Sequence, residues 1–406
     1  MKIWMVNQYA IPPEQAGITR HFSFAKTLVQ LGHDVTIIAS SFDHVTQTET
    51  RLHAGASWKI EVIEDVRFLW LRTPPYKGNT AARIVNMLIF AWRVLWTTYH
   101  LRKPDIILGS SPHLFGALAS RWKAHLLRVP FVLEVRDLWP QSLIDLGNVS
   151  ENHPVVRVLR RIEKYLYSTA NHVVTLLPGA VDYIEQRGGT KGRVTWISNG
   201  VSLDHISPTV GPADAGFFQV VYAGTHGLAN GLDSILDAAK IVKERGYEEV
   251  KFVFYGDGPE RARLEARVSK ENIANLKFMG AVPKKQIFHA LEKADAFIAT
   301  MRNINLYKHG ISFNKLYDYL ACARPVVFGS NTSNDPISEA KAGITVEPEN
   351  AIQMADAVIA LVRMTPQMRA EMGERGRSYV KEHYGLTALA NRLEKVLQDV
   401  AQVRQN

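Results

Sequence analysis

The chain reads as an α/β protein built of two doubly wound, parallel-sheet domains in tandem. Three observations carry that expectation. Short apolar strands alternate with helical patterns from the first residues onward. The alternation breaks at a polar, Pro- and Gly-containing segment, 204–216, and then starts afresh. A length of 406 residues, 46% apolar and 21% charged, supports two buried cores and excludes a wholly disordered chain.

In order, 2–8 reads as a buried strand and 9–18, with Pro12-Pro13 and Gly17, as the loop after it. A helical pattern follows (Phe22, Ala25, Leu28, Val29), stopped at Gly32, and 35–39 is a second strand. Strand, loop, helix and strand within forty residues make a βαβ unit. Further strands are expected at 105–109, 131–135, 173–176 and 194–197. After the linker, strands are expected at 217–223, 250–255, 276–280, 296–299, 325–329 and 343–346, with helices at 232–245, near 286–293 and from Asn314. Two long helical patterns close the chain. The expected domains are 1–203 and 217–385, with the final helix, about 386–406, packed back on the first. Open α/β sheets bind ligands at the carboxyl ends of their strands, so two facing domains place a substrate cleft between them.

The formal charge is +9. Residues 1–200 hold 23 Lys and Arg against 15 Asp and Glu, and the remainder 25 against 24. The surplus therefore belongs to the first domain and points to an acidic partner: nucleic acid, anionic lipid or a phosphorylated substrate. No acid occurs between Asp65 and Asp105, where Arg67, Arg72, Lys77, Arg83 and Arg93 alternate with Trp70, Tyr76, Phe90, Trp92 and Trp96. The helical core of that window, 83–96, suits either a buried helix covering a sheet, its arginines snorkelling outward, or a helix lying on anionic headgroups. The single cysteine, Cys322, excludes an internal disulfide and a Cys-based zinc site, so a reducing compartment is expected. The N-terminus lacks the run and cleavage site of a signal peptide, and no stretch of about 18 apolar residues is present to span a membrane.

Several phosphate-handling motifs are missing. There is no G-x-G-x-x-G after the first strand, no G-x-x-x-x-G-K-[ST], no H-E-x-x-H and no Asp-x-Asp pair. Phosphate must then be met by backbone amides, helix termini and basic side chains. The string Tyr307-Lys308-His309-Gly310-Ile311-Ser312-Phe313-Asn314-Lys315-Leu316-Tyr317-Asp318 offers all three: a Gly-containing loop, a helix start with Ser312 as expected cap, and Lys315 in the first turn. Asp318, one turn on, has the two acceptor oxygens that a ribose diol requires. An ordinary capped helix with surface Lys and Asp is the plain alternative.

This segment, followed by a Pro-Val strand, resembles the donor-binding helix of family 4 glycosyltransferases of the GT-B fold, in the branch reading N-K-L-[YF]-[ED]-Y-[ML]-A. Other pieces stand in the same order over some 330 residues: Gly17-Ile18, Leu31-Gly32-His33-Asp34-Val35, Lys103-Pro104-Asp105, Glu134-Val135-Arg136-Asp137-Leu138-Trp139-Pro140, Ser198-Asn199-Gly200, Tyr222-Ala223-Gly224, Gly256-Asp257-Gly258-Pro259-Glu260 and Phe278-Met279-Gly280. The E-x-R-D-L-W-P string is similar to bacterial O-antigen and capsule enzymes that transfer N-acetylated deoxyaminosugars, such as N-acetyl-L-fucosamine.

The resemblance implies a retaining transfer without metal or other cofactor, from a UDP-linked sugar to a polyprenyl-pyrophosphate-linked saccharide at the cytoplasmic face of an anionic membrane. It places the ribose on Asp318 and the diphosphate on Ile311, Ser312, Phe313, Asn314 and Lys315. The base falls on Gly280, Ala281 and Val282, and Gly17, Gly224 and His226 lie beside the phosphates. Asp137 and Arg136 would orient or deprotonate the acceptor hydroxyl and touch phosphate; Glu134 is expected to pair with Arg136. Two departures stand out. Many members carry G-R-x-x-x-x-K-G after the first strand of the second domain, and here Thr225 and Asn230 occupy the Arg and Lys positions. The Glu that many place eight residues before the ribose carboxylate is Gly310. Lys315, with Lys308 or Arg302, is expected to replace the missing charges. A sugar-nucleotide epimerase of the same architecture is the alternative enzyme, and a nucleic-acid-binding α/β protein the least supported reading, since no nucleic-acid module is present.

Overall fold

A computed structural model describes residues 1–15, 19–44, 46–78, 81–147, 149–203, 206, 216–282 and 284–402. The chain forms two units, Met1–Asn199 with Leu386–Asn406, and Gly200–Gly385. The loop glycine Gly17 and most of the segment 204–216 lie outside the described residues.

The first unit runs β1 (Lys2–Val6), α1 (Arg20–Gln30), β2 (Asp34–Ser40), β3 (Phe42–Asp43), β4 (Thr48–Glu49), β5 (Trp58–Ile63), β6 (Val66–Leu71), α2 (Ala81–Trp96), β7 (Ile106–Ser110), α3 (Leu114–Leu127), β8 (Phe131–Val135), α4 (Gln141–Gly147), α5 (Pro154–Thr169), β9 (His172–Thr175), α6 (Ala180–Gln186) and β10 (Val194–Trp196). Its sheet has the order β10-β9-β8-β7-β1-β2-β6-β5. All pairs are parallel except β5 with β6. The central strands are buried on both faces, which is why they read as unbroken apolar runs. The hairpin of β5 and β6 went unread in the sequence. Its two-residue turn is Glu64-Asp65, both at positive φ (44° and 67°), without the glycine or asparagine that usually announces such a turn.

The second unit runs β11 (Phe218–Ala223), α7 (Leu232–Glu244), β12 (Val250–Tyr255), α8 (Arg261–Lys270), β13 (Leu276–Gly280), α9 (Lys284–Leu291), β14 (Ala296–Thr300), α10 (Asn314–Ala321), β15 (Val326–Gly329), α11 (Pro336–Glu339), β16 (Gly343–Val346), α12 (Ala351–Arg363) and α13 (Pro366–His383). Its sheet, β13-β12-β11-β14-β15-β16, is parallel throughout. The last helix, α14 (Leu386–Gln402), returns to the first unit, where Leu389, Leu393 and Leu397 join the core of Ile3, Phe24, Leu28, Ile37 and Phe68. No helix among the described residues is long and apolar enough to cross a membrane.

The acid-free window divides between core and surface. Trp70, Tyr76 and Phe90 are buried, whereas Trp92 (56% exposed), Trp96 (63%) and Tyr99 face solvent with Ile84, Val85 and Leu88. The basic side chains do not all snorkel. Arg72 donates to the carbonyls of Ala56 and His53, and Arg93 Nη1 to Ser57 O at 2.8 Å, pinning the loop before β5. Lys77 is exposed and Arg83 half-buried.

Candidate active site

In the second unit the carboxyl ends of β11 and β12 meet the start of α10. Gly224 N donates to Tyr255 O (3.0 Å) and Gly256 N to Gly280 O (2.8 Å), so three glycines line one edge. Only glycine fits at 256: φ is +131°, and a Cβ there would stand 1.9 Å from Gly224 O. Gly310 closes the turn Asn305–His309 at φ +93° and turns the chain into 311–313. That loop is latched by Asn334, whose Oδ1 accepts from Ile311 N and whose Nδ2 donates to Ile311 O, both at 2.8 Å. The N-cap of α10 is Phe313, with no side-chain cap bond; Ser312 lies one residue before it, so the expected cap is corrected. Asn314 opens the helix, and Asp318 is half-buried one turn on.

Lys315 turns inward, toward β11. Its Nζ donates to Tyr222 OH (3.2 Å) and to Asn230 Oδ1, and sits 4.8 Å from the Tyr222 ring centroid and 5.6 Å from that of Phe313. Among the described residues no carboxylate lies within ion-pair distance of it. Burial alone pulls its proton affinity down to about 7. Arg302, by contrast, faces Glu349 at 3.5 Å, and Lys308 is exposed. Tyr319, one turn on from Lys315 and on the same face of α10, accepts from Ala223 N (2.6 Å) and donates to Ala223 O (3.1 Å), clamping the helix to β11.

His226 is fully buried against Tyr222, Phe254 and Phe278, and neither ring nitrogen has a hydrogen-bond partner among the described residues. Burial, with Arg261 nearby, lowers its proton affinity, so the ring is neutral at pH 7. Ala281 is exposed and Val282 half-buried just after β13.

In the first unit Asp137 is exposed and Arg136 half-buried, immediately after β8. Glu134 does not pair with Arg136, as the alternation along the strand had suggested. It is buried with Arg20 Nε at 2.8 Å, His21 Nε2 at 2.8 Å and Ser110 Oγ at 2.7 Å. Burial opposes its charge, but His21 and Arg20 hold the carboxyl well below its usual range. A second buried chain was not legible in the sequence. Gly116 N donates to His113 Nδ1 (3.3 Å), which fixes the tautomer so that His113 Nε2 donates to Gln8 Oε1 at 2.6 Å. Gln8 then donates to Asn86, and Asn86 Nδ2 to Thr73 Oγ1 at 2.8 Å. Burial, helped by Arg83, lowers His113 to about 3. Nothing in the spacing of these residues signals their convergence.

Two family models match end to end: a glycosyl transferase 4-like domain over 17–200 and a glycosyl transferases group 1 domain over 218–364. The chain belongs to the two-domain glycosyltransferases. Among its relatives are the probable glycosyltransferase WbjE of Pseudomonas aeruginosa, 22% identical over 75% of this chain and 76% of that protein, and the putative colanic acid biosynthesis glycosyl transferase WcaI of Escherichia coli, 23% identical over 66% and 68%. In structure it is similar to Anabaena HepE in complex with UDP-glucose, with TM-score 0.71, 14% identity and coverage of 98% of this chain and 100% of that one. The fold is GT-B, with two Rossmann-like domains. In this glycosyltransferase Lys315 Nζ rests on Asn230, the position where the resemblance to other members calls for a lysine. Among the described residues no group of three His, Cys, Asp or Glu side chains could hold a metal ion.

Proposed function

We propose that this glycosyltransferase is a retaining, metal-independent enzyme that moves an N-acetylated deoxyaminosugar, such as N-acetyl-L-fucosamine, from a UDP-linked donor to a polyprenyl-diphosphate-linked saccharide in O-antigen or capsule synthesis. The placement of Lys315 carries the reading. An ammonium with no carboxylate partner among the described residues, one turn from Asp318 and beside the first-turn amides of α10, suits a diphosphate in the second unit. As the bond from sugar to phosphate breaks, charge grows on the leaving oxygen, and Lys315 with those amides would stabilise it. Asp318 would accept from the ribose hydroxyls, and the backbone of Gly280, Ala281 and Val282 would frame the base. In the first unit Asp137 would orient the acceptor hydroxyl or take its proton, with Arg136 on phosphate. The name of WcaI, a putative colanic acid biosynthesis glycosyl transferase, supports a role in surface polysaccharide, and the HepE complex supports a UDP-linked donor.

Attachment to the cytoplasmic face of a membrane is part of the proposal. Helix α2 lies beside α3, and α3 beside α5. The three carry exposed Trp92, Trp96, Trp122, Leu126, Val155 and Val158, and their one acid, Glu163, is buried against Arg160 and Tyr183. An apolar, basic face whose three helices carry no exposed acid fits anionic headgroups.

The test is thermal shift against UDP, GDP, ADP and UDP-N-acetyl sugars. At 100 times Kd a ligand adds about 2.7 kcal/mol of stability. UDP and its sugars should raise Tm, and Asp318→Asn should weaken UDP-sugar binding about tenfold, the worth of a charge-assisted hydrogen bond. A shift by GDP alone would overturn the donor assignment. Free sugar or epimer accumulating at full rate from donor alone would favour the epimerase.

A further inference from the structure

We propose that Arg83, with the rings of Tyr9 and His44 and the buried Tyr76 supporting them, forms the subsite that holds the phosphate-linked sugar of the acceptor. The inference rests on the transferase reading above and concerns the first unit alone. These residues come from four separate stretches: Tyr9 follows β1, His44 follows β3, Tyr76 follows β6, and Arg83 stands in the first turn of α2. Tyr9 and Tyr76 stand just past the carboxyl ends of strands of the doubly wound sheet, and His44 just past the small two-stranded sheet of β3 and β4. Strand β1 continues into β2 on one side, while its other neighbour, β7, arrives later in the chain, so the strand order reverses there. Ligands of such sheets bind at that reversal.

The rings converge. Tyr9 and His44 have centroids 4.9 Å apart at 34°, His44 and Tyr76 are 6.0 Å apart, and Tyr9 meets His113 edge-on at 5.8 Å. The Arg83 guanidinium is close enough to act electrostatically on Tyr9, His44, Tyr76 and His113 alike. The Tyr9 hydroxyl is buried and faces Arg83 and Tyr76 without a hydrogen bond of good geometry. Asp43, which also acts electrostatically on His44 and Tyr76, accepts from Gln15 Nε2 and Thr46 N, both at 3.0 Å. Rigidity comes from beneath: Asn86, one turn after Arg83, is fully buried and tied through Gln8 to His113. A fork held on a fixed helix favours phosphate, and amphipathic rings favour the faces of a sugar.

The order of chemistries identifies the ligand class. The polar rings come first, then Arg83, then the exposed stripe Ile84, Leu88, Trp92 and Trp96 running along the same helix. A sugar, a diphosphate and an apolar chain follow one another in the same sequence in a lipid-diphosphate saccharide.

The experiment measures binding of a soluble probe, N-acetylglucosamine diphosphate carrying a short isoprenoid chain, to the full-length protein and to Arg83→Ala, Arg83→Lys and His44→Ala. Arg83→Ala should weaken the probe at least tenfold, Arg83→Lys by an intermediate factor, and His44→Ala about fivefold. The UDP-induced rise in Tm, read in parallel, should match wild type in every variant. Partition onto anionic vesicles lacking the probe should change less than threefold for Arg83→Ala. Equal probe affinity in wild type and Arg83→Ala, or failure of the wild type to bind the probe, overturns the subsite. A loss on vesicles larger than the loss on the probe assigns Arg83 to the lipid surface and also overturns it. A wild type that binds the probe but shows no UDP shift supports the subsite and sinks the donor reading instead.

Discussion

Lys315, the residue proposed to carry the donor site's charge, points in an unexpected direction. The sequence placed it correctly in the first turn of α10, and a first-turn lysine is ordinarily a solvated side chain. Its direction depends on Tyr222 and Asn230, which lie 93 and 85 residues earlier in the chain. Because burial lowers its proton affinity to about 7, a measurable pH dependence follows. The ammonium is present below that pH and lost above it, so UDP-sugar affinity should fall as pH rises from 7 to 9. The profile is read by titration calorimetry, and a UDP-sugar diphosphate does not itself titrate there. Lys315→Arg, which keeps its charge throughout, should flatten the profile. An unchanged slope in that variant would remove Lys315 from the site. Asn334 illustrates the opposite case: its two bonds to Ile311 position the loop 311–313, and no local pattern announces an asparagine that acts 23 residues away.

At the scale of elements, parallel strands were the easiest to read, because a strand covered on both faces must be apolar at every position. β8, β14 and β15, buried at every position, fall within one residue of the apolar runs 131–135, 296–299 and 325–329. The hairpin of β5 and β6 was hidden by a Glu-Asp turn, and Trp70 within it looked like part of a surface series until β6 buried it. Helix α2 was legible as a helix, but its outer face was not. Only the packing of Asn86, Met87, Phe90 and Val94 inward leaves Trp92 and Trp96 outward. Replacing both with Glu should leave Tm and the UDP shift unchanged while abolishing flotation with phosphatidylglycerol vesicles at moderate salt. Each buried indole contributes about 2 kcal/mol to such adsorption, so the double variant should lose more than tenfold. Undiminished flotation would rule out α2 as the anchor.

For the whole molecule, the decisive feature is that the chain leaves its first unit at Asn199 and returns to it at Leu386. The terminal helix α14 completes a core nearly 400 residues from where that core begins, with Leu393 fully buried against it. Leu393→Ala should cost about 2–5 kcal/mol. The loss would appear as a lower Tm by calorimetry. UDP-sugar affinity of the folded protein should stay within twofold of wild type, because the residues assigned to the donor, Gly17 apart, lie in Gly200–Gly385. A large fall in that affinity would contradict the assignment.

By itself the sequence determined the class of fold, the two-domain division, the charge surplus of the first domain and the string from Gly310 to Asp318, because periodicity, composition and local motifs are properties of neighbouring residues. The tertiary structure decided which charges meet: Glu134 with Arg20 and His21 rather than Arg136, Lys315 with Tyr222 and Asn230, and Gln8 with His113 and Asn86. Each of those partnerships spans 78 to 114 residues. A buried polar group must find a partner wherever the fold supplies one, and the distance along the chain does not enter into that choice.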